Sequence, residues 1–531
     1  MNEEWWRGAV IYQIYPRSFR DANGDGVGDI AGITEKLDHV ASLGVDAIWI
    51  SPVFPSPMKD MGYDVSDYMD IDPLFGSLAD FDAVLAEAHR LGLKVIIDQV
   101  LSHTSDRHPW FAESRRDRTK PKADWYVWAD PGPDGMPPNN WPSVFGGPAW
   151  TWDTRRRQYY LHNFLVEQPD LNFHNPDVRA ALLDVMRFWL DRGVDGFRLD
   201  TVNFYFHDPK LRSNPARDMD DADWPATNPY LMQEHRFSKT RPQNIHFLED
   251  MRRLTDGYGA RTLLGEVGED QRPIEIMAAY TRGTDRLHMA YSFKMLRGSL
   301  DPRYFAGVLE AYFQEAPDGW PCWAFSNHDV ARHVSRWAPP GAEAEVAHLA
   351  AAMLVSLRGT ICLYQGEEVG QTETEMEFHE LTDPPGIAFW PEDKGRDGCR
   401  TPMVWEADAP HGGFTEGTPW LPVKAPQLAH AVASQEAQEG SVLATYRELL
   451  AYRRGSEDLR LGDLEIVHAG EQALALRRGG TLCLMNLSGR PLVARGLGMP
   501  VGPTRGVGGE TVAPYGWGFF EAGAAPRIEP A

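Results

Sequence analysis

The segment VRAALLDVMRFWLDRGVDGFRLDTV, from Val178 to Val202, combines the two patterns that decide the fold. Its first part, VRAALLDVMRFWLDRG, has apolar side chains at helical spacing and ends in Gly193, as helix C-termini commonly do. Its second part, GFRLDTV, is a short β-prone run that is apolar apart from Arg198 and Asp200, as in a parallel strand covered on both faces. A helix that leads directly into such a strand predicts an α/β protein with a parallel sheet.

The same two patterns alternate along most of the chain. The other helical segments that end in glycine are AGITEKLDHVASLG, LADFDAVLAEAHRLG and EVAHLAAAMLVSLRG. The other strand-like runs are VIYQIYPRSF, DAIWISPV, KVIIDQVLSH, TLLGEV, HMAYSF, CWAFSNHD and ICLYQGEE, beginning at Val10, Asp46, Lys94, Thr262, His288, Cys322 and Ile361. Eight strands that each lead to a helix predict a (β/α)8 TIM barrel.

Two segments do not follow the barrel pattern. The stretch between the third and fourth strands is rich in Trp, Pro and Gly and is much longer than an ordinary connection, which predicts an inserted subdomain. After the helix SVLATYRELLAYRRG the apolar residues alternate with period two, which predicts antiparallel strands. We therefore expect a barrel formed by residues 1–103 and 171–457, an inserted subdomain at 104–170, and a C-terminal antiparallel β-sandwich domain at 458–531.

The overall composition restricts the partners and the compartment. A net charge of −24 argues against nucleic acid and against an anionic membrane surface, because both would be repelled. The acidic N-terminus MNEEWWRGAV lacks the basic and apolar segments of a signal peptide, and no apolar run is long enough to span a membrane. The four cysteines are far apart and form no CxxC pair, so we expect a cytoplasmic protein with reduced thiols.

Charged side chains collect at the C-terminal ends of the predicted strands, which meet at one mouth in a barrel. Individually they have structural explanations, such as a helix cap for Asp200 or a buried core histidine for His103. Together they favour a reaction site, because crowded like charges cost stability without a functional reason. The side chains at these strand ends are His103, Arg198, Asp200, Glu266, His328 and Asp329.

Paired carboxylates without a metal-type ligand set favour glycoside hydrolysis, in which one group is ionised and the other protonated. Arg198 lies two residues from Asp200 and should favour the charged form of that carboxyl. Glu266 follows an apolar strand, where burial and neighbouring carboxylates should raise its pKa. We therefore assign Asp200 as the nucleophile and Glu266 as the acid/base.

Several motifs extend this interpretation to a family. DQVLSH (Asp98–His103), GFRLDTVNF, LLGEV and FSNHD (Phe325–Asp329) resemble the four signature regions of the α-amylase family, glycoside hydrolase family 13, in the same order. QPDLN (Gln168–Asn172) resembles the fifth region of the α-glucosidase and oligo-1,6-glucosidase subgroup, and GYDVSDY and YQGEEVG also match. The resemblance covers essentially the whole chain, with one departure at Ser102, where family members normally have Asn.

The resemblance implies roles for individual residues. It makes Asp200 the nucleophile, Glu266 the acid/base, and Asp329 a ligand of the distorted sugar that helps to stabilise the transition state. Asp64 and Arg332 would grip the non-reducing end, so that one glucose is removed at a time. The full set of implied substrate-binding residues is Tyr63, Asp64, His103, Phe145, Phe164, Arg198, Thr201, His328 and Arg332.

The loop DANGDGVGD places oxygen ligands at alternating positions and resembles the start of an EF-hand loop. Position twelve of that pattern is Gly32 instead of Glu, and a strand precedes the loop, so a helix–loop–helix calcium sensor is not expected. Related α-glucosidases bind a divalent ion here, whereas the alternative is a turn held by its own side chains. We expect a structural Ca²⁺ or Mg²⁺ held by Asp21, Asn23, Asp25, the carbonyl of Val27, and Asp29.

The linkage preference rests on Thr201, because Thr after the nucleophile tends to accompany α-1,4 specificity in related glucosidases and Val tends to accompany α-1,6. Long polar loops at 203–243 and 370–425 should narrow the entrance and favour short substrates. We expect a retaining exo-acting α-glucosidase for maltose, short malto-oligosaccharides and related small α-glucosides, with sucrose also open. The alternatives are an oligo-1,6-glucosidase, a sucrose hydrolase or isomerase, and a transglucosylase.

A non-catalytic role is the alternative from another class. Some family members are partners of amino-acid transporters, but those proteins carry a membrane segment and have typically lost catalytic residues. This chain has Asp200, Glu266 and Asp329 in place, and a purely calcium-binding or sugar-binding role would leave that set unexplained. We therefore expect an enzyme.

Overall fold

The structure, a computed structural model, describes residues 4–218 and 227–531. Eight parallel strands form one sheet, and all eight strands predicted for the barrel are confirmed. They are β1 (Val10–Ile14), β2 (Ala47–Ile50), β3 (Lys94–Gln99), β7 (Gly196–Leu199), β8 (Thr262–Val267), β9 (Met289–Ser292), β10 (Cys322–Ala324) and β11 (Thr360–Tyr364). The sheet order is β10-β11-β1-β2-β3-β7-β8-β9, and a parallel bridge between Ala290 and Pro321 brings its two edges together, so the barrel is nearly closed.

Helices cover the outside of this barrel. Helix α4 illustrates how the sequence specifies them: Asn175 caps its N-terminus, Pro176 occupies the first turn, and Gly193 ends it with a φ of 106°. The helices are α1 (Ile30–Ser42), α2 (Leu78–Arg90), α3 (Pro109–Ser114), α4 (Pro176–Arg192), α5 (Asn244–Asp256), α6 (Pro273–Thr281), α7 (Phe293–Arg297), α8 (Pro302–Glu315), α9 (His333–Trp337), α10 (Glu343–Ser356), α11 (Pro384–Ala388), α12 (Asp397–Arg400), α13 (Ala425–Leu428), α14 (Val432–Glu436), α15 (Val442–Gly455) and α16 (Glu457–Leu461). Among the described residues, no helix is long and apolar enough to cross a membrane.

The segment between β3 and β7 carries a small sheet of its own. Its strands pair in the order β4-β6-β5, and an antiparallel bridge between His103 and Asp170 joins the start and the end of the segment. Because the segment leaves and returns at the same strand end, it sits on the mouth of the barrel. Its strands are β4 (Trp128–Ala129), β5 (Trp150–Asp153) and β6 (Gln158–Leu161).

The C-terminal segment is antiparallel, as predicted. Its strands form one hydrogen-bonded sheet in place of two separate sheets, because the long strand β17 pairs with β14 near its end and with β15 near its start. One face of this sheet encloses its own apolar core. The strands are β12 (Leu464–Ala469), β13 (Ala473–Arg478), β14 (Thr481–Asn486), β15 (Leu492–Arg495), β16 (Pro500–Gly508), β17 (Thr511–Glu521) and β18 (Arg527–Pro530).

The alternation of side chains along the barrel strands positions the functional groups. Ile96 and Leu264 point into the apolar core inside the barrel. Side chains two residues further along a strand face the same way, so Asp98 and Glu266 lie above that core at the C-terminal ends. The strand period therefore places charged residues at the mouth and apolar residues beneath them.

Part of the long loop after β7, predicted at 203–243, lies outside the described residues, at 219–226. The described part of the loop is tied to the segment after β8. The Asn203 side chain exchanges two hydrogen bonds with the backbone of Gly268, at 2.9 and 3.1 Å, and Lys239 Nζ donates to the Gly268 carbonyl at 2.7 Å. The loop is thereby fixed next to the strand that carries Glu266.

Candidate active site

A cavity of about 190 Å³ opens at the C-terminal ends of the strands. Strand ends supply its charged floor, and the inserted segment and the loop after β7 supply aromatic walls. Most of the residues predicted to bind substrate line this cavity. The lining residues are Asp60, Tyr63, His103, Val144, Phe145, Phe164, Asp200, Thr201, Phe204, Tyr230, Lys239, Glu266, Gly268, Asp270, Phe293, Arg297, His328, Asp329 and Arg396.

Arg198 lies at the centre of the carboxylate cluster and is fully buried. Its Nη1 donates to Asp98 and to Asp200, both at 2.8 Å. Its Nη2 pairs with Glu266 Oε1 at 2.7 Å. One guanidinium therefore bridges the two carboxylates predicted to react, with Asp98 as a third partner that the sequence interpretation did not assign to the site.

The predicted difference between the pKa values of Asp200 and Glu266 is not found. Burial raises the pKa of both carboxyls to about 7, and Arg198 opposes this rise in each case. Three carboxylates share this one buried cation, so retaining a proton near neutral pH relieves their mutual repulsion. Burial and the neighbouring carboxylates thus explain why the cluster holds a proton near neutral pH, but they do not distinguish the two carboxyls.

Asp200 and Glu266 differ in the hydroxyl and amide groups that donate hydrogen bonds to them. The Thr201 hydroxyl donates to Asp200 Oδ2 at 3.1 Å, while the Thr201 backbone N–H donates to Glu266 Oε2 at 3.0 Å. The Tyr291 hydroxyl donates to Glu266 Oε1 at 3.1 Å. Thr201 reaches both carboxylates because its φ is 39°, a left-handed conformation that is costly for a β-branched residue.

Asp329 lies in a different electrostatic environment. Its Oδ1 accepts from Arg396 at 3.2 Å and from Arg400 at 3.0 Å, and its Oδ2 lies 3.2 Å from His328 Nε2. Burial disfavours the charged form, yet His328 and the two guanidiniums hold the pKa of Asp329 below its ordinary range. Asp329 is therefore ionised at neutral pH, whereas the Asp200 and Glu266 pair shares a proton.

The two predicted histidines occupy opposite sides of the floor. His328 stacks on Tyr63 with 5.3 Å between ring centroids, and burial keeps its pKa well below the usual value. His103 Nε2 donates to the Tyr63 carbonyl at 2.9 Å, which leaves Nδ1 to accept from the Ser102 hydroxyl at 2.8 Å. Burial lowers the pKa of His103 to about 4, so both rings are neutral near pH 7.

Aromatic rings line one side of the cavity, as predicted for Phe145 and Phe164. These two rings are 5.5 Å apart, and Phe164 also lies 5.3 Å from Phe204 on the loop after β7. Tyr230 belongs to the same apolar cluster. The Arg396 guanidinium lies 5.0 Å from the Phe145 ring and joins this wall to the charged floor.

The prediction that Asp64 contacts substrate is wrong for this structure. Asp64 is fully buried, and its carboxylate accepts from the Ser56 hydroxyl at 2.8 Å and from the backbone of Lys59 and Asp60 at 3.0 and 3.1 Å. The carboxylate stabilises its own loop beneath the cavity. Asp60 lines the cavity instead, where it accepts from Arg396 at 2.9 Å.

Arg332 also lies behind the cavity wall, contrary to the prediction. Its guanidinium donates to the carbonyls of Gln365 at 2.9 Å and Cys399 at 3.1 Å, so it supports the backbone. Arg396 takes the predicted place and contacts Asp60, Asp329 and Asp383. The residues that the sequence interpretation missed are Asp60, Asp98, Tyr291, Arg396 and Arg400.

The oxygens of the loop predicted to bind metal accept hydrogen bonds from its own backbone. Asp21 accepts from the N–H groups of Gly24 and Gly26, both at 2.7 Å, and Asp29 caps α1 through Gly32 at 2.6 Å. Asn23 and Asp25 each accept from the N–H two residues later, at 2.9 Å. Within residues 4–218 and 227–531, no three His, Cys, Asp or Glu side chains are grouped as metal ligands. The arrangement fits a turn held by its own side chains, metal binding stays a prediction, and no step of the reaction rests on it.

The fold and the cavity together define a class of protein. A nearly closed β/α barrel whose mouth holds Asp200 and Glu266 on one guanidinium is a glycosidase. The model of the alpha amylase catalytic domain matches residues 13–462, and the chain belongs to the α-amylase family, glycoside hydrolase family 13.

Individual relatives agree with this assignment. A probable alpha-glucosidase of Rhizobium meliloti is 58% identical over 498 residues, which cover 92% of this chain and 90% of the relative. An oligo-1,6-glucosidase of Heyndrickxia coagulans is 39% identical over 502 residues, covering 87% of this chain and 88% of the relative. The crystal structure of an alpha-glucosyl transfer enzyme superposes with a TM-score of 0.92 at 52% identity, covering 97% of this chain and 99% of that one.

Proposed function

We propose that the chain is a retaining, exo-acting α-glucosidase that removes single glucosyl units from small α-glucosides. The observation that carries this proposal is the shared guanidinium of Arg198, which holds Asp200 and Glu266 at the floor of one cavity. Asp60 and Arg396 pair at 2.9 Å in the wall of that cavity. This ion pair would close the cavity beyond the non-reducing end, so only a terminal sugar would fit.

The proposed reaction has two displacements. Asp200 attacks the anomeric carbon while Glu266 donates its proton to the leaving oxygen, which forms a covalent glucosyl-enzyme. Glu266, now ionised, then accepts a proton from water as the water attacks the same carbon and releases Asp200. The contacts of Arg198 and Thr201 with both carboxyls support a short carboxyl separation, about 5–5.5 Å in retaining enzymes.

The surrounding groups support these roles. Asp329 is held ionised by Arg396 and Arg400, so it can accept hydrogen bonds from the sugar hydroxyls and stabilise positive charge at the anomeric centre. The shared proton of the Asp200 and Glu266 pair provides the general acid near neutral pH. The assignment of the nucleophile to Asp200 follows the position of that residue in the family motif.

The proposal also includes a preference for α-1,4 over α-1,6 glucosidic bonds. Thr201 supports it because its hydroxyl reaches both Asp200 and Ser102 next to the position of the scissile bond. The similarity to a probable alpha-glucosidase is consistent with this preference, while the oligo-1,6-glucosidase relatives favour the alternative linkage. Sucrose is also a candidate substrate, because its glucosyl half would contact the same charged residues, Asp200, Glu266 and Asp329, at the floor of the cavity.

Glucosyl transfer is the second candidate activity. Phe204, Tyr230 and Phe293 line the same cavity as Glu266 and offer apolar contact to an acceptor, which would then compete with water for the glucosyl-enzyme. The similarity to an alpha-glucosyl transfer enzyme supports this possibility. Product analysis at high substrate concentration distinguishes transfer products from free glucose.

The test compares kcat/KM on maltose, isomaltose, sucrose and trehalose, with Asp200→Asn as the matched inactive variant. We expect the highest value on maltose and a loss on the order of 10⁴-fold or more in Asp200→Asn, because the nucleophile is gone while the carboxyl shape remains. An unchanged melting temperature shows that the variant is folded. Near-normal turnover by Asp200→Asn would refute the nucleophile assignment, and a maximum on isomaltose would refute the α-1,4 preference.

A further inference from the structure

Four side chains at the cavity floor form one continuous row of contacts, which we call the hydroxyl chain. Asp200 Oδ2 lies 3.1 Å from Thr201 Oγ1, Thr201 Oγ1 lies 3.1 Å from Ser102 Oγ, and Ser102 Oγ lies 2.8 Å from His103 Nδ1. Ser102, His103 and Asp200 are buried, so little water competes for these contacts. The hydroxyl chain depends on Ser102, the residue at which this sequence departs from the family motif.

The number of protons in the hydroxyl chain depends on the tautomer of His103. A carbonyl oxygen can only accept, so the 2.9 Å contact with the Tyr63 carbonyl places a proton on His103 Nε2. His103 Nδ1 then accepts from Ser102, and an ionised Asp200 accepts from Thr201. The Thr201 hydroxyl proton then points to Asp200 and the Ser102 hydroxyl proton points to His103. No proton is left between the two hydroxyl oxygens, so the contact between Thr201 and Ser102 is not a hydrogen bond in this state.

One extra proton completes all three contacts. If it resides on Asp200, that carboxyl donates to Thr201, Thr201 donates to Ser102, and Ser102 donates to His103. If it resides on Nδ1 of His103, every hydrogen bond reverses direction and Asp200 is ionised. The two states interconvert when each of three protons moves to the next heavy atom, so one proton is transferred overall and no other bond changes.

We propose that the hydroxyl chain takes up this proton as a unit and thereby sets the pH below which Asp200 stops acting as a nucleophile. Ser102 and Thr201 act as positioning residues, because they determine how readily the carboxyl is protonated without contacting the anomeric carbon. The inference rests on the proposed glucosidase function and specifies how that site is regulated by protons.

The surrounding charges decide where the proton resides. Burial raises the pKa of Asp200 to about 7 and lowers the pKa of His103 to about 4, so the proton is mainly on the carboxyl. Arg198 favours the ionised carboxyl and its neighbouring carboxylates oppose that form. One charged group, Asp60, faces the His103 end. The titratable and charged groups that face the Asp200 end are Asp98, Arg198, Glu266, Asp329, Tyr63, Tyr68 and Tyr205.

The test compares pH profiles of kcat/KM for the wild type, Ser102→Ala and Ser102→Thr, each normalised to its own maximum. Removing the Ser102 hydroxyl deprives the protonated state of its additional hydrogen bond, so the acidic limb should move to lower pH by about 0.4–1 unit, equivalent to a bond of about 0.5–1.5 kcal/mol. Ser102→Thr keeps a hydroxyl and should restore the wild-type limb. An acidic limb that stays in place in Ser102→Ala would overturn the proposal.

A second readout does not depend on turnover. Carbon-13 NMR of aspartate labelled at the side-chain carboxyl, with the Asp200 signal assigned by its loss in Asp200→Asn, reports protonation of that carboxyl directly. We expect the Asp200 signal to titrate over the same pH range as the acidic limb in the wild type, and its midpoint to move to lower pH by about 0.4–1 unit in Ser102→Ala. An Asp200 signal with the same midpoint in both proteins would contradict the proposal. If the wild type lacks glucosidase activity, the proposed function fails while this NMR comparison still tests the hydroxyl chain.

Discussion

At the scale of the residue, Arg198 is a fully buried cation surrounded by three carboxylates. Its guanidinium is buried and contacts Asp98, Asp200 and Glu266 within 2.8 Å. A buried cation with three carboxylate partners is stable only if the cluster limits its own negative charge, and the raised pKa values of the carboxyls do this. The proton that relieves the repulsion is the one that an acid/base residue requires.

A matched pair of arginine variants tests the corrected substrate contacts. Arg396→Lys should raise KM for a small α-glucoside by about tenfold. Lysine lacks the planar guanidinium group with which Arg396 contacts Asp60, Asp329 and Asp383. Arg332→Lys should lower the melting temperature and leave KM near the wild-type value, since Arg332 contacts backbone carbonyls outside the cavity. Steady-state kinetics and thermal unfolding check both. A large KM change in Arg332→Lys alone would restore the original prediction.

Sequence reasoning found the correct loop but the wrong aspartate in it. Asp60 and Asp64 are four residues apart, and which one faces the cavity depends on how the backbone turns between them. Met61 and Gly62 have φ values of 50° and 109°, a left-handed turn that the residue pattern before Gly62 did not indicate. By contrast, Asp98 could have been identified, because it ends an apolar strand in the same way as Asp200.

At the scale of the element, the strands were predictable and the loops were not. Each barrel strand is an apolar run bounded by polar residues, and its period of two fixes which side chains face inward. Arg396 and Arg400 are supplied by the long segment after β11, which has only short helices and no regular period. Loop residues therefore reach the cavity by paths that local patterns do not encode.

The aspartate-rich loop after β1 provides a prediction at this scale. If the loop binds Ca²⁺, adding the ion should raise the melting temperature by about a few degrees relative to EDTA, because only the folded loop binds it. Asp25→Asn keeps an oxygen that can accept from the Val27 N–H but removes a negative charge, so it should reduce this shift. Calorimetry with and without Ca²⁺ measures both. Equal melting temperatures would favour the turn held by its own side chains.

At the scale of the whole molecule, Glu367 lies between the barrel and α15, the longer of the two helices that connect the barrel to the C-terminal sheet. It is buried, and it accepts from Tyr446 on α15 at 3.2 Å and from the Tyr364 backbone at 3.2 Å. Burial raises its pKa to about 8, far above the value of an unfolded glutamate. The contribution of such a carboxyl to stability is fully present below the unfolded pKa and is lost progressively as pH rises from the unfolded to the folded value.

The resulting prediction concerns stability between about pH 4.5 and pH 8. The melting temperature of the wild type should fall over this range, because the unfolded glutamate is ionised while the folded one stays neutral. Glu367→Gln should lose less, because the amide stays neutral in both states and keeps an oxygen acceptor. Thermal unfolding at several pH values compares the two proteins, with the exposed Glu406→Gln as the control. Parallel pH profiles for the wild type and Glu367→Gln would contradict the buried neutral carboxyl.

The architecture of the barrel followed from repeated local patterns, since a (β/α)8 barrel consists of eight strand–helix units. The cavity did not follow in the same way. Its wall includes a contact between Asp60 and Arg396, which are far apart in sequence and belong to two irregular loops. Family motifs mark the carboxylates, but the shape of the pocket around them depends on contacts between distant loops.

Proton NMR of the glucose released from p-nitrophenyl α-glucoside tests the central claim most directly, because this substrate releases only one sugar. A retaining double displacement through Asp200 inverts the anomeric carbon twice, so that glucose appears first as the α-anomer. Mutarotation to the β-anomer follows more slowly and is recorded in the same experiment. Initial α-glucose is the predicted result, and initial β-glucose would contradict the covalent glucosyl-enzyme.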